Sequence, residues 1–84
     1  MLTIKYFSAP WCGPCKMFGP IVDKVVMETG VSIQKIDVDA SRDLAFKYGV
    51  MSVPSLIFER DGTIVHKHTG VMSFNQLKDT VHRY

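Results

Sequence analysis

The stretch LTIKYFSAPWCGPCKMFGPIVDKVV, Leu2 to Val26, changes its hydrophobic period once, and that change decides the fold. Leu2 to Phe7 is apolar and β-rich, carries no charge except Lys5, and is closed by Ser8, Ala9 and Pro10. These are the marks of a buried strand. After Gly13 and Pro14 the spacing becomes helical: Met17, Ile21 and Val25 form one i, i+4, i+8 row, and Phe18, Val22 and Val26 form its neighbour. Lys16, Asp23, Lys24 and Glu28 fall mostly on the remaining surface, so this is an amphipathic helix with both rows turned inward. Pro14 suits the first turn, where an amide hydrogen has no partner, and Gly30 suits the end. Pro20, inside the helix, bends it.

Working outward, Val31 to Val38 alternates and ends in acidic residues, which predicts a second strand. A crossover helix between two strands makes them parallel. Ser41 is placed to cap a short helix running through Tyr48, with Leu44, Ala45 and Tyr48 on one face and Gly49 at its stop. Ser55 to Glu59 and Thr63 to His68, joined by Arg60, Asp61 and Gly62, predict a hairpin, because Asp-Gly supplies positive-φ turn residues. Ser73 and Gln76 match a capping box that opens a last helix with the apolar row Phe74, Leu77 and Val81. The predicted order is β-α-β-α-β-β-α: an α/β domain over residues 1–84, with a four-stranded mixed sheet and helices on both faces.

The chain has 84 residues, of which 46% are hydrophobic and 21% charged, the balance of a globular protein. Ten Lys and Arg against eight Asp and Glu leave a net charge of +2 with the signs interspersed, so nucleic-acid binding has no electrostatic footprint. No apolar run reaches the length of about 18 residues that a membrane span needs. The N-terminus MLTIKYFSAP lacks a long apolar segment before a small-residue cleavage site. A soluble, cytoplasmic monomer is expected.

Trp11, Cys12, Gly13, Pro14 and Cys15 stand between the buried strand and the helix start. Two cysteines at this spacing can close a small disulfide, and the helix N-terminus offers unpaired amide hydrogens and partial positive charge to the first sulfur. That lowers the thiol pKa of Cys12. Cys15, nearly one turn deeper, is expected to be less exposed and less activated, so Cys12 attacks and Cys15 resolves. Half of a zinc site is a second reading, but tetrahedral zinc needs two more ligands. His66 and His68 could complete it, but they sit two apart on a predicted edge strand, where solvated histidines are the default. A purely structural disulfide is a third reading, although so short a loop removes little chain entropy.

WCGPCK at Trp11 to Lys16 is similar to the active-site motif of thioredoxins, and the resemblance extends over nearly the whole chain. KMFGPIV (Lys16 to Val22) resembles the family's kinked active-site helix, KIDVD (Lys35 to Asp39) its next strand, and KYGVMSVPS (Lys47 to Ser55) its substrate loop; Gly62 and Gly70 match late glycines. The resemblance implies a protein-disulfide reductase. Cys12 would attack a target disulfide and Cys15 would resolve the mixed disulfide, with no cofactor, no metal, and a redox-active Cys12–Cys15 bond. It places Pro54 as a cis-proline facing that bond. Trp11, Gly13, Pro14, Met51, Val53, Pro54, Gly70 and Val71 would form an apolar collar around the reactive sulfur, and backbone groups of Val53 would pair with an extended target. The implied partners are disulfide-containing proteins and an electron donor of the thioredoxin reductase kind.

Two departures stand out. Full-length thioredoxins begin with an extra strand and helix, whereas this chain starts at the strand leading into the active site and resembles the shorter, glutaredoxin-sized form of the fold. The family usually carries a buried aspartate six residues before the first cysteine, and here that position is Tyr6. A tyrosine, with an ordinary pKa near 10, is a poor base at neutral pH. Proton transfer at Cys15 then falls to water, the Tyr6 hydroxyl or another group. Lys35 matches the lysine beside that aspartate, where its ammonium can favour a thiolate or simply face solvent. Two alternatives remain. One is a glutathione-dependent, glutaredoxin-like reductase, suggested by the short fold and opposed by WCGPC and by Gly70-Val71-Met72, which lacks that family's glycine-aspartate element. The other is a binding subunit of a larger assembly, using the same collar.

Overall fold

The computed structural model describes residues 1–84 as β1 (Leu2–Ser8), α1 (Gly13–Thr29), β2 (Ser32–Asp37), α2 (Arg42–Lys47), β3 (Ser55–Arg60), β4 (Thr63–Thr69) and α3 (Phe74–Arg83). The sheet runs β2-β1-β3-β4. β1 pairs parallel with β2, where Tyr6 lies opposite Lys35, and antiparallel with β3, where Tyr6 lies opposite Leu56. The order, the mixed sheet and the helices on both faces are those read from the sequence.

Period-two alternation along β1 sorts its side chains. Leu2, Ile4 and Tyr6 join Phe18, Val22 and Val25 of α1, Leu77 of α3, and Leu56, Phe58 and Met72 in the larger core. Phe7, on the other face, joins Ile36, Ile57 and Ala45 of α2. One predicted inward residue is not there: Met17 is 73% exposed. An i, i+4 row advances 400° rather than 360°, so two steps from Val25 carry Met17 about 80° around the helix, out of the buried sector. Phe18 and Val22 hold that sector instead.

The termini of the helices differ in ways that the sequence pattern does not separate. Ser73 (φ −68°, ψ 160°) accepts from the Gln76 amide at 3.1 Å, and Gln76 returns the bond to the Ser73 amide at 3.0 Å. Ser41 (φ −128°, ψ 58°) lies outside that extended geometry, and its side chain makes no cap bond, contrary to expectation. In the hairpin, Asp61 (φ 53°) and Gly62 (φ 85°) both take the left-handed conformation of the predicted turn, and a bulge interrupts the ladder at Phe58/Glu59.

Two further side-chain arrangements belong to the folded chain, and the second departs from the sequence reading. Lys5, the one charge of β1, is ion-paired with Glu59, the two side chains being only 15% and 11% exposed, and the Tyr48 hydroxyl donates to Glu59 Oε2 at 3.4 Å. The Glu59 hydrogen bond, against the opposing cost of desolvation, holds the Lys5 ammonium above its ordinary pKa of 10.5. His66 and His68 are half-buried rather than solvated. His66 stacks on Tyr84 with ring centroids 4.8 Å apart, because the last residue of the chain folds back over the sheet. No group of three or more His, Cys, Asp or Glu is placed to hold a metal ion.

Candidate active site

β1 ends at Ser8, and the turn that follows is closed by the Cys12 amide donating to the Ala9 carbonyl at 3.1 Å. Cys12 is thereby delivered as the N-cap of α1 in extended backbone (φ −85°, ψ 108°). Its sulfur is bonded to Cys15, with the two Cα atoms 5.3 Å apart, and accepts from the Cys15 amide at 3.2 Å. A sulfur thus occupies the place that an oxygen takes in an ordinary N-cap. No acidic residue in the first turn of α1 offsets the positive end of the helix dipole, so charge developing on Cys12 is favoured there. The expected contrast in exposure is absent: Cys12 and Cys15 are 4% and 6% exposed. Bridged to Cys15, Cys12 packs with Ala9 against Val38 and Val53. What distinguishes the two is the amide hydrogen bond, which goes to Cys12 alone.

Around the disulfide, Gly13 and Pro14 are exposed, Trp11 is 68% exposed, Met51 96% and Val71 46%. Pro54 is buried behind a cis Val53–Pro54 bond, and Val53 is half-buried. The Gly70 amide donates to the Pro54 carbonyl at 2.9 Å, which ties the loop before α3 to the proline loop. Trp11, Val38, Val50, Met51, Ser52 and Val53 line a small apolar cleft of about 120 Å³ beside the cysteines. Asp39 belongs to this site although the sequence reading did not name it: its Oδ2 accepts from the Trp11 indole nitrogen at 2.9 Å. The acidic end of KIDVD was the only signal for it, and that signal marks strand ends in general.

Tyr6 and Lys35 lie on the sheet side of the pair. Tyr6 is buried edge-on against Phe18, with ring centroids 5.8 Å apart, and its hydroxyl donates to the Cys15 carbonyl at 3.3 Å. Burial, helped by the Asp23 carboxylate, raises its pKa above the ordinary 10, so at neutral pH it is a donor and not a base. Lys35, about half exposed, pairs with Asp23 at 2.7 Å.

A family model described as Thioredoxin matches residues 2–83. The chain belongs to the thioredoxin family. It is 42% identical over 80 residues to a thioredoxin of Bacillus subtilis, covering 93% of this chain and 77% of that one. A mitochondrial thioredoxin of Bos taurus is 40% identical over 74 residues, 86% of this chain and 45% of that one. Among solved structures, a mutant thioredoxin from Halobacterium salinarum superposes with a TM-score of 0.95 at 38% identity, over 99% of this chain and 74% of that one. Thioredoxins are protein-disulfide oxidoreductases that act on disulfide targets, are reduced by thioredoxin reductase and generally need no cofactor. This chain, with its Cys12–Cys15 pair, is a thiol–disulfide oxidoreductase of that kind, and membership of this family favours neither a glutathione-dependent enzyme nor a purely binding role.

Proposed function

We propose that residues 1–84 work as a single domain that reduces protein disulfides, with Cys12 as the nucleophile and Cys15 as the resolving thiol. The observation that carries the assignment of roles is the 3.2 Å bond from the Cys15 amide to Cys12 Sγ at the unopposed N-terminus of α1. Attack by Cys12 thiolate breaks the target S–S bond and forms a mixed disulfide. Cys15 thiolate then displaces the second target sulfur and restores the intramolecular bond. Trp11, Gly13, Pro14, Met51, Val53, Gly70 and Val71 supply the target-facing collar, and Pro54 shapes it from beneath. An extended target segment pairs with the Val53 backbone, so affinity depends little on target side chains.

Electrons come from a flavoprotein of the thioredoxin reductase kind, no cofactor enters the exchange, and the protein acts as a cytoplasmic monomer in electron transport and cell redox homeostasis. No helix is long and apolar enough to cross a membrane, and the interspersed charge gives no support to a nucleic-acid partner. The test is insulin disulfide reduction with NADPH, recharged either by thioredoxin reductase or by glutathione with glutathione reductase. Turnover with the first is expected, together with its loss in Cys12→Ser and Cys15→Ser. Turnover only with the second would overturn the assignment of the donor.

A further inference from the structure

Behind the disulfide, an open cleft of about 390 Å³ has Cys15 in its wall, with Tyr6 and Ser8 from β1, Lys35 and Asp37 from β2, and Lys16 and Gly19 from α1. Gly19 stands one helical turn beyond Cys15, and a Cβ built there would meet nothing within 4 Å. The side of α1 that covers the resolving cysteine therefore has a gap where another residue would place a side chain.

The titratable groups that line or flank this cleft are cations, a donor, or carboxylates already engaged at one oxygen. Lys16 and Lys35 as ammonium ions accept no hydrogen bond. The Tyr6 hydroxyl is already donating to the Cys15 carbonyl. Asp37 Oδ1 accepts from the Asp39 amide at 2.8 Å, and Asp23, the carboxylate beside Tyr6, is paired with Lys35. We propose that the proton of Cys15 passes directly to solvent bases through this cleft, Gly19 being its open side, rather than to a carboxylate of the protein. This deepens the assignment of Cys15 as resolving thiol and rests on it. In the step, the Cys15 S–H bond gives its proton to water or buffer, and the sulfur electron pair forms the Cys12–Cys15 bond. The Cys12–target bond breaks, and the target leaves as a thiolate that takes up a proton from solvent. The enzyme dithiol is oxidised by two electrons and the target disulfide reduced by two.

The test uses the reduced full chain and dithiobis-nitrobenzoate, followed by stopped-flow absorbance. The first nitrothiolate released reports attack by Cys12, and the second reports resolution by Cys15. At fixed pH and ionic strength, the second release is expected to accelerate with the concentration of a small buffer base such as imidazole, and the first is not. Gly19→Leu, which puts a side chain into the cleft, is expected to slow the second release about a hundredfold, the lower end of what a proton acceptor contributes to a rate. It should also abolish the buffer dependence. Gly19→Ala should give a smaller effect of the same kind, and an unaltered first release shows that the variants fold. A second release indifferent to buffer and to both Gly19 variants overturns the route, as does one that Asp37→Asn or Asp23→Asn slows as strongly as Gly19→Leu. Absence of any second release in the parent protein removes the resolving assignment itself, and the route with it.

Discussion

The indole of Trp11 is exposed yet anchored, because Asp39 accepts its N–H at 2.9 Å. A hydrogen bond of this kind contributes about 1 kcal/mol, on the order of a fivefold change in an equilibrium. Asp39→Ala is therefore expected to raise the KM for insulin by about that factor and to leave kcat near its parent value; an effect on kcat alone would show that Trp11 orients no target. Two other residues report on pH. Tyr6 and Lys5 both have folded-state pKa values above their ordinary 10.0 and 10.5, the first chiefly through burial and the second chiefly through Glu59. Each binds its proton more tightly when folded, so its contribution to stability is complete below the ordinary value and is lost as pH rises through the folded value. Urea midpoints measured across the alkaline range should fall toward its upper end, and Tyr6→Phe should flatten that fall. Neither shift was legible in the sequence, since a tyrosine or lysine in a strand reads the same whether its head group is buried, paired or wet.

Elements form here for local reasons, but their ends are decided by a few backbone angles. Ser41 and Ser73 look alike as letters, each standing before a helical pattern. Only Ser73 has the extended ψ of 160° that carries its hydroxyl to the Gln76 amide. Ser73→Ala is expected to destabilise by about 1 kcal/mol in urea unfolding, and Ser41→Ala to change the midpoint little. Equal losses at the two sites would contradict the cap geometry. α1 teaches a related lesson. Its apolar rows are plain in the sequence, yet Met17 is exposed because a four-residue spacing drifts against a helical turn of 3.6 residues. Periodicity identifies the helix and its buried sector; the angular position of that sector belongs to the packing of Phe18 and Val22 on the sheet.

At the scale of the whole molecule, Lys5 and Glu59 join two strands across the sheet face that α2 also covers, with Tyr48 beside them. Removing one partner of a buried pair strands the other charge, so Glu59→Ala is expected to cost about 3 kcal/mol, whereas Lys5→Met with Glu59→Leu together should lie close to neutral. A double variant as unstable as the single one would mean that the pair itself, and not its isolation, supports the fold. The element order, the hairpin turn at Asp61-Gly62, and the cysteine pair at the start of α1 were all legible in the letters alone. Each depends on residues close along the chain, through period, turn geometry and capping. Folding in three dimensions was needed to show that Asp39 holds Trp11, that Gly70 meets Pro54, that Lys5 finds Glu59, and that Tyr6 donates to Cys15 over an open cleft. Those contacts join residues brought together by sheet pairing and chain crossovers, and letters that suit many partners do not say which one the fold supplies.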